Sequence, residues 1–259
     1  MSQEFQNRTA VVTGGANGIG RATVLRLARG GAKVFCGDFN PLPENERLFA
    51  DLGVVQLRCD VRVDADVKRL IDAAVATGRL DIVVNNAGIG MVKQIPDVSE
   101  EEWDRVMDTN VKSVFLTSKY AIPHLRAAGG GSIVNVSSNA GLLPRAHDPV
   151  YSTSKGAMVA LTKSFALCHA GERIRINAVC PGPVGDTGMM NADLEKADDP
   201  VALAQKMIDA SPLAKAFDRM ISPDEVAQAI CYLASDAAVM VTGTCIAIDG
   251  GKSLGVPPK

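Results

Sequence analysis

Seven short apolar segments recur along the chain, and most of the intervals between them carry the spacing of amphipathic helices. The segments are Thr9–Gly15 (TAVVTGG), Ala32–Asp38 (AKVFCGD), Val54–Val61 (VVQLRCDV), Leu80–Gly88 (LDIVVNNAG), Gly131–Ser138 (GSIVNVSS), Ile174–Gly182 (IRINAVCPG) and Gly243–Gly251 (GTCIAIDGG). Each is short and carries glycines or polar residues at or next to its end, so each reads as a strand. Several are apolar at consecutive positions, as in a sheet covered on both faces. The alternation predicts an α/β protein with a doubly wound, seven-stranded parallel sheet and helices on both faces, a single domain over residues 1–259. Ser99 with Glu102, and Ser222 with Glu225, form capping boxes, the second with Pro223 in the first turn. The helix that opens at Ser99 is expected to pass through Trp103, Val106, Met107 and Val111 and to bend or end at Pro123. Another is expected from about Tyr151 to His169. Residues 185–222 are mixed in pattern and carry EKADDP, which predicts a mobile excursion over a site.

Composition narrows the function. Hydrophobic residues make up 47%, enough for a substantial core, and the net charge is −2. With no basic stretch interleaved with aromatics, there is no electrostatic case for nucleic acid or an anionic membrane as partner. The N-terminal MSQEFQNRTA lacks the apolar core of a signal peptide. No run reaches the roughly 18 apolar residues of a membrane span, so a cytoplasmic location is expected. The six cysteines (Cys36, Cys59, Cys168, Cys180, Cys231, Cys245) form no C-x-x-C pair, and most sit in apolar runs as buried free thiols. The three histidines, His124, His147 and His169, are not spaced as a ligand set, and no metal is expected.

The turn after the first strand, TGGANGIG, places Gly14, Gly18 and Gly20 in the spacing G-x-x-x-G-x-G, with Asn17 and Ile19 between them. Glycines let the backbone turn tightly and let a pyrophosphate reach the N-terminus of the next helix, where free N–H groups and the helix dipole favour an anion. Glycines alone also fit a turn with no ligand. Asp38 strengthens the first reading. It ends the second strand 18 residues after Gly20, where a carboxylate can accept from adenosine ribose hydroxyls. It would repel a 2′-phosphate, Phe39 follows it, and no Lys or Arg occupies Gly15 to Asn17; NAD is therefore expected over NADP. Asp60, expected at the end of the third strand and followed by Val61, either receives the adenine amino group or caps the turn.

In YSTSK, Tyr151 and Lys155 stand four apart, on one face of a helix. A nearby ammonium favours the phenolate of a tyrosine that is otherwise a poor base at neutral pH, so the pair can exchange a proton with an alcohol or ketone. Such a pair alone is usually incidental. Ser138 lies 13 residues earlier, at the end of the fifth strand. Its hydroxyl can meet the reacting oxygen, or bond locally with Ser137 at the start of a loop. Asn110 lies within a helix, where Asn is a poor former; it either has a special role or faces solvent. Ala87 and Gly88 would let a ribose lie against the backbone, and Asn85 and Asn86 can tie down the strand end. The expectation is that Asn86 to Gly88 touch the cofactor and that Asn85 is mainly structural.

Taken in order, TGGANGIG, Asp60, NNAG, Asn110, Ser138, YSTSK, Pro181–Gly182 and TGTCIAIDGG make the chain resemble the short-chain dehydrogenase/reductase family over essentially its whole length, with a Rossmann-type fold. The resemblance implies Tyr151 as general acid/base, Lys155 holding the nicotinamide ribose and lowering the tyrosine pKa, Ser138 orienting the substrate, and Asn110 holding a relay water. It implies that Pro181, Gly182, Val184 and Thr187 line the nicotinamide. The usual pattern has Thr two residues after Val; here Thr187 comes three after Val184, so either the loop bulges by one residue or Asp186 takes the place. It also implies a homotetramer, built in part on the helices starting near Ser99 and Tyr151. Gly156, Ala157 and Ala160 suit such packing, or an ordinary contact within the chain.

The expected reaction is NAD-dependent hydride transfer between a secondary alcohol and a ketone. Candidate substrate residues are Ser138, Asn139, Leu142, Leu143, Arg145, His147, Met189 and Met190. The methionines suggest an adaptable apolar wall; Arg145 and His147 either meet an anionic group or sit on a solvated loop. Two rival readings are an NADPH-dependent 3-oxoacyl thioester reductase, which Asp38 opposes, and a non-catalytic dinucleotide-binding regulator, which the set Asn110, Ser138, Tyr151 and Lys155 opposes.

Overall fold

A computed structural model describes residues 3–143 and 145–255. Its strands are β1 (Thr9–Thr13), β2 (Lys33–Asp38), β3 (Val55–Arg58), β4 (Ile82–Asn85), β5 (Gly131–Val136), β6 (Ile174–Pro181) and β7 (Cys245–Ile248). All run parallel in one sheet of order β3-β2-β1-β4-β5-β6-β7. The α/β class, the seven strands and the doubly wound sheet are therefore as the sequence predicts. The strands are shorter than the apolar runs that announce them, because the flanking residues leave the ladder to form turns. β3 in particular ends at Arg58, so Asp60 lies in the following turn and not at the strand end.

The helices are α1 (Gly18–Arg29), α2 (Glu46–Asp51), α3 (Asp64–Val75), α4 (Glu100–Met107), α5 (Ser113–Ala127), α6 (Pro149–His169), α7 (Gly188–Glu195), α8 (Pro200–Asp209), α9 (Pro212–Ala216) and α10 (Pro223–Ala234). They cover both faces of the sheet, and β1 serves both. Ala10 and Val12 join Val24 and Leu27 of α1 and Val226 and Ile230 of α10; Val11 joins Leu70 and Ile71 of α3 and Leu125 of α5. Both capping boxes are present, with Ser99 accepting from the Glu102 N–H and Ser222 from the Glu225 N–H. The stretch 185–222 folds into α7, α8 and α9, and at its base Val184 pairs in parallel with Ile221. Among the described residues no helix is long and apolar enough to cross a membrane.

The helix that opens at Ser99 is interrupted where no break is expected, and of the two expectations for Pro123 one is excluded. It does not run unbroken, since Asp108–Lys112 form a π turn between α4 and α5. Nor does Pro123 end it: α5 continues to Ala127 with the proline inside. Proline removes one helical N–H, but Ala121, Ile122 and Leu125 are buried on either side of it, and tertiary packing carries most of a helix's stability.

A row of buried amides and hydroxyls ties the middle of the sheet to both neighbouring helices. Thr117 Oγ1 of α5 donates to Asn85 Oδ1 at 2.6 Å. Asn85 Nδ2 donates to Asn135 Oδ1 at 2.8 Å, across register partners of β4 and β5. Asn135 Nδ2 donates to Thr162 Oγ1 of α6 at 2.9 Å. All four residues are buried, so any unmatched member pays full desolvation. Replacing Asn135 by Val should cost about 2–3 kcal/mol in urea unfolding, because Asn85 and Thr162 lose partners. The double replacement Asn85→Val/Asn135→Val should cost clearly less than the sum of the two single ones.

Candidate active site

The sheet order reverses between β1 and β4, and the carboxyl ends of these strands flank the crevice where ligands of such sheets bind. Thr13 and Asn85 are register partners there. Thr13 Oγ1 accepts the N–H groups of Asn86 (3.1 Å) and Ala87 (3.2 Å). Asn86 Nδ2 donates back to the carbonyls of Thr13 (3.1 Å) and Gly14 (2.8 Å). Gly14 has φ +63°, and a Cβ on it would stand 2.8 Å from the Ala87 Cα. A Cβ on Gly20 would collide with the Gly14 carbonyl and the Asn86 amide. NNAG and the glycine-rich turn are thus one interlocked unit.

Asn17 caps α1 with extended backbone and no side-chain bond to the helix. The N–H groups of Asn17, Gly18 and Ile19 have no hydrogen-bond partner among the described residues. Asp38 closes β2 and faces this turn: its Oδ2 accepts the Ala16 N–H and its Oδ1 the Asn40 N–H, each at 3.0 Å. Phe39 is exposed, with the guanidinium groups of Arg58 and Arg62 over its ring at 5.2 and 5.8 Å. Asp60 is engaged locally. Arg62 donates from Nε (2.9 Å), Nη2 (2.6 Å) and its own N–H (3.0 Å), and chiefly this pairing holds the Asp60 carboxyl below the usual range. Val61 beside it is buried.

Asp148 caps α6 and Pro149 opens it, which sets Tyr151 and Lys155 one turn apart, both buried. Lys155 Nζ donates to the Val136 carbonyl at 3.0 Å. Burial lowers its pKa to about 8. The Lys155 carbonyl accepts from Ser137 Oγ at 2.9 Å, and a Cβ on Gly141 would lie 2.5 Å from that same oxygen. The turn after β5 therefore packs directly on α6. Ser138 in that turn has an extended backbone; its Oγ accepts the Ala140 N–H at 3.1 Å and donates to Asn139 Oδ1 at 3.3 Å. Asn110 sits in the π turn, wholly buried and not in solvent. Its Oδ1 accepts the Ile89 N–H (2.9 Å), and its Nδ2 donates to the Ile89 carbonyl and to Ser154 Oγ (both 3.0 Å). A Cβ on Gly88 would stand 3.2 Å from Asn110 Oδ1 and 3.3 Å from Lys155 Nζ, so β4, the π turn and α6 converge at one point.

The electrostatics differ from the expectation that Lys155 sets the tyrosine. Burial pushes the Tyr151 phenol above its ordinary value; the Ser138 hydroxyl and then the Arg145 guanidinium pull it back. Arg145 lies over the Tyr151 ring at 5.4 Å, Lys155 Nζ at 5.7 Å. Arg145 is ion-paired through Nε (3.2 Å) and Nη2 to the buried Asp148, and its Nη1 has no partner among the described residues.

The loop after β6 runs from Gly182 to Thr187. Asp186 takes a left-handed conformation (φ +52°), and this brings Thr187 to the glycine-rich turn, with its Cγ2 3.0 Å from a Cβ placed on Gly18. Thr187 also caps α7, accepting the Met190 N–H at 3.1 Å. Pro181 ends β6, and Gly182 abuts Asp249. Of the candidate substrate residues, Met189 reaches Gly90 and is half-exposed, whereas Met190 is buried beneath α7. Leu142 and Leu143 are exposed, and His147 is largely in solvent beside Asp148. Ser154 and Asn45 take part in this region without any sequence signal; each is a polar residue whose partner is distant in the chain.

Known proteins resemble the chain throughout. The sequence family described as enoyl-(acyl carrier protein) reductase matches residues 14–253. The 4-formylbenzenesulfonate dehydrogenase of Comamonas testosteroni is 41% identical over 96% of this chain and 99% of its own. The cis-4-hydroxycyclohexanecarboxylate dehydrogenase of Sinomonas cyclohexanicum is 40% identical over 97% and 98%. The solved structure of a short-chain type dehydrogenase/reductase from Mycobacterium marinum superposes with a TM-score of 0.88 at 32% identity, covering 98% of both chains. Matched end to end in sequence and fold, the chain belongs to the short-chain dehydrogenase/reductase family, oxidoreductases that use NAD(H) or NADP(H).

Proposed function

We propose that this oxidoreductase is an NAD-dependent dehydrogenase that oxidises a secondary alcohol, with Tyr151 as the proton acceptor. The observation that carries the reading is that Lys155 and Asn110 meet beside Gly88 while Tyr151 stands next to Lys155 and Ser138, close to a turn whose N–H groups have no partner among the described residues. Those N–H groups of Asn17, Gly18 and Ile19 fit a pyrophosphate, and Asp38 fits adenosine ribose hydroxyls and opposes a 2′-phosphate. Asn86, Ala87, Gly88, Pro181, Gly182, Val184 and Thr187 complete the cofactor's bed in this reading. When bound, NAD supplies the hydride acceptor. Ser138 Oγ holds the substrate oxygen, and Tyr151 Oη removes its proton. Lys155 would hold the nicotinamide ribose, and its ammonium would favour the phenolate. Asn110 positions the relay water in this reading; both Nδ2 hydrogens are used within the protein and Oδ1 already accepts the Ile89 N–H, so the water would meet the second lone pair of Oδ1. Exposed Phe115 on α5 and Leu167 on α6 support assembly through these helices, as in the expected homotetramer.

The substrate class in this reading is a compact secondary alcohol that carries an acidic group. Two relatives are named for a benzenesulfonate and a cyclohexanecarboxylate. In this chain the free Nη1 of Arg145, above Tyr151, is the donor suited to such a group.

A panel of secondary alcohols followed by NADH formation should find activity, and Tyr151→Phe should lower kcat about 10²–10⁴-fold with the NADH dissociation constant unchanged. Unaltered activity in that variant sinks the reading, and faster turnover of NADPH with an acetoacetyl thioester redirects it. Asp38→Asn should raise kcat/KM with NADP about tenfold or more relative to NAD, since removing the carboxylate removes its repulsion of the 2′-phosphate. Arg145→Met should cut kcat/KM for a hydroxycyclohexanecarboxylate by about 10–100-fold more than for cyclohexanol, the worth of one charged hydrogen bond, since the loss on cyclohexanol reports only the effect of the guanidinium on Tyr151. Equal losses on both alcohols would remove Arg145 from substrate recognition.

A further inference from the structure

Asn45 is wholly buried in the connection between β2 and α2, where a chain of this polarity usually faces water. Pro43 starts the short turn that carries it, and the Asn45 N–H closes that turn on the Leu42 carbonyl at 3.0 Å. Both functions of its side chain are used. Nδ2 donates to the Ala16 carbonyl at 2.7 Å, and Oδ1 accepts from Arg21 Nε of α1, also at 2.7 Å. Ala16 lies in the middle of the glycine-rich turn, and its N–H is held from the other side by Asp38.

The consequence follows from the planarity of the peptide. In a trans peptide the carbonyl and the following N–H point in opposite directions. Fixing the Ala16 carbonyl toward Asn45 therefore turns the Asn17 N–H away from Asn45. That N–H and those of Gly18 and Ile19 have no partner among the described residues. Gly15 and Gly18 lie one residue beyond either end of this peptide, and Gly14 and Gly18 sit at positive φ, so the turn around it carries few side chains that could hold it. Asn45 is the only side chain among the described residues that bonds the Ala16 carbonyl.

We propose that Asn45 is a positioning residue for the dinucleotide: by fixing the Ala16–Asn17 peptide, it aims the N–H groups of the glycine-rich turn at the pyrophosphate. The inference rests on the cofactor reading above and adds a residue outside the glycine motif. Preorganised donors bind an anion without reordering cost, so the effect belongs to binding and leaves the proton chemistry at Tyr151 untouched.

The test measures binding of NADH by fluorescence and of ADP-ribose, which has the pyrophosphate and no nicotinamide, by calorimetry. Asn45→Ala should weaken both about tenfold, as expected for one buried hydrogen bond, with kcat at saturating NAD within about twofold of the unaltered enzyme and KM for NAD raised. Arg21→Gln separates the two contacts, since it leaves the Asn45 donor on the Ala16 carbonyl and removes only the partner of Oδ1. Positioning requires a clearly smaller loss for both ligands than in Asn45→Ala; an equal loss overturns it. If Asn45→Ala fails to fold, Asn45→Gln, which keeps the amide and displaces it by one methylene, takes its place and should also weaken both ligands. Folded Asn45 variants that bind ADP-ribose as the unaltered protein does overturn the proposal. If the unaltered protein binds neither ligand, it is the dinucleotide reading itself that fails.

Discussion

The site depends first on one side-chain amide at the switch point of the sheet. Asn86 Nδ2 bonds two successive carbonyls, those of Thr13 and Gly14, where β1 leaves the ladder. Strand-end carbonyls are normally satisfied by water. In a crevice built to receive a ligand that water is displaced, and a donor that stays with the protein is needed. The same junction explains why Gly20 can carry no side chain: a Cβ there would strike the Gly14 carbonyl and the Asn86 amide together. The helix N-terminus, the strand end and NNAG are therefore brought to one point by hydrogen bonds and by the absence of atoms, and every element of the site is placed relative to that point.

Burial governs the chemistry on the other side of the crevice. It moves Tyr151 and Lys155 in opposite directions, the phenol upward and the ammonium downward, because each neutral form is favoured out of water. With Lys155 at about 8 and Tyr151 above its ordinary value, the proton of the ligand-free molecule rests on the phenol. A phenolate needs cations that face it. Arg145 already lies over the ring, while Lys155 is engaged with the Val136 carbonyl. Among the described residues, the ammonium's one hydrogen bond to an oxygen is to this neutral carbonyl.

Much of this was legible in the sequence because it is local. Strand runs closed by glycines, two capping boxes and the spacing of Tyr151 and Lys155 each lie within one short window, and the structure contains each of them. What escaped is set by distant partners. The π turn that buries Asn110 answers to Ile89 and Ser154, and Asn45 answers to Ala16 and Arg21. A residue such as Pro123 reads as a helix bend or end by its own chemistry, and the buried face on which it sits keeps the helix running past it. Cysteines show both outcomes: Cys36, Cys59, Cys180 and Cys231 are buried as their apolar runs suggest, whereas Cys168 is exposed on the outer side of α6.

The extra residue between Val184 and Thr187 shows how a local irregularity can couple two parts of a site. A bulge of one residue shifts every later side chain unless the backbone absorbs it. Here Asp186 absorbs it in a left-handed conformation that costs a non-glycine residue some strain. Thr187 is thereby returned to the glycine-rich turn, where its Cγ2 touches the space beside Gly18 while its hydroxyl caps α7. Because one residue makes both contacts, the start of α7 cannot rotate without disturbing the turn. That rotation also decides which methionine faces Gly90 and which is buried, and the structure selects Met189 for the first position and Met190 for the second. Thr187 thus links the glycine-rich turn to the start of α7, and through α7 to the methionine that lies against Gly90.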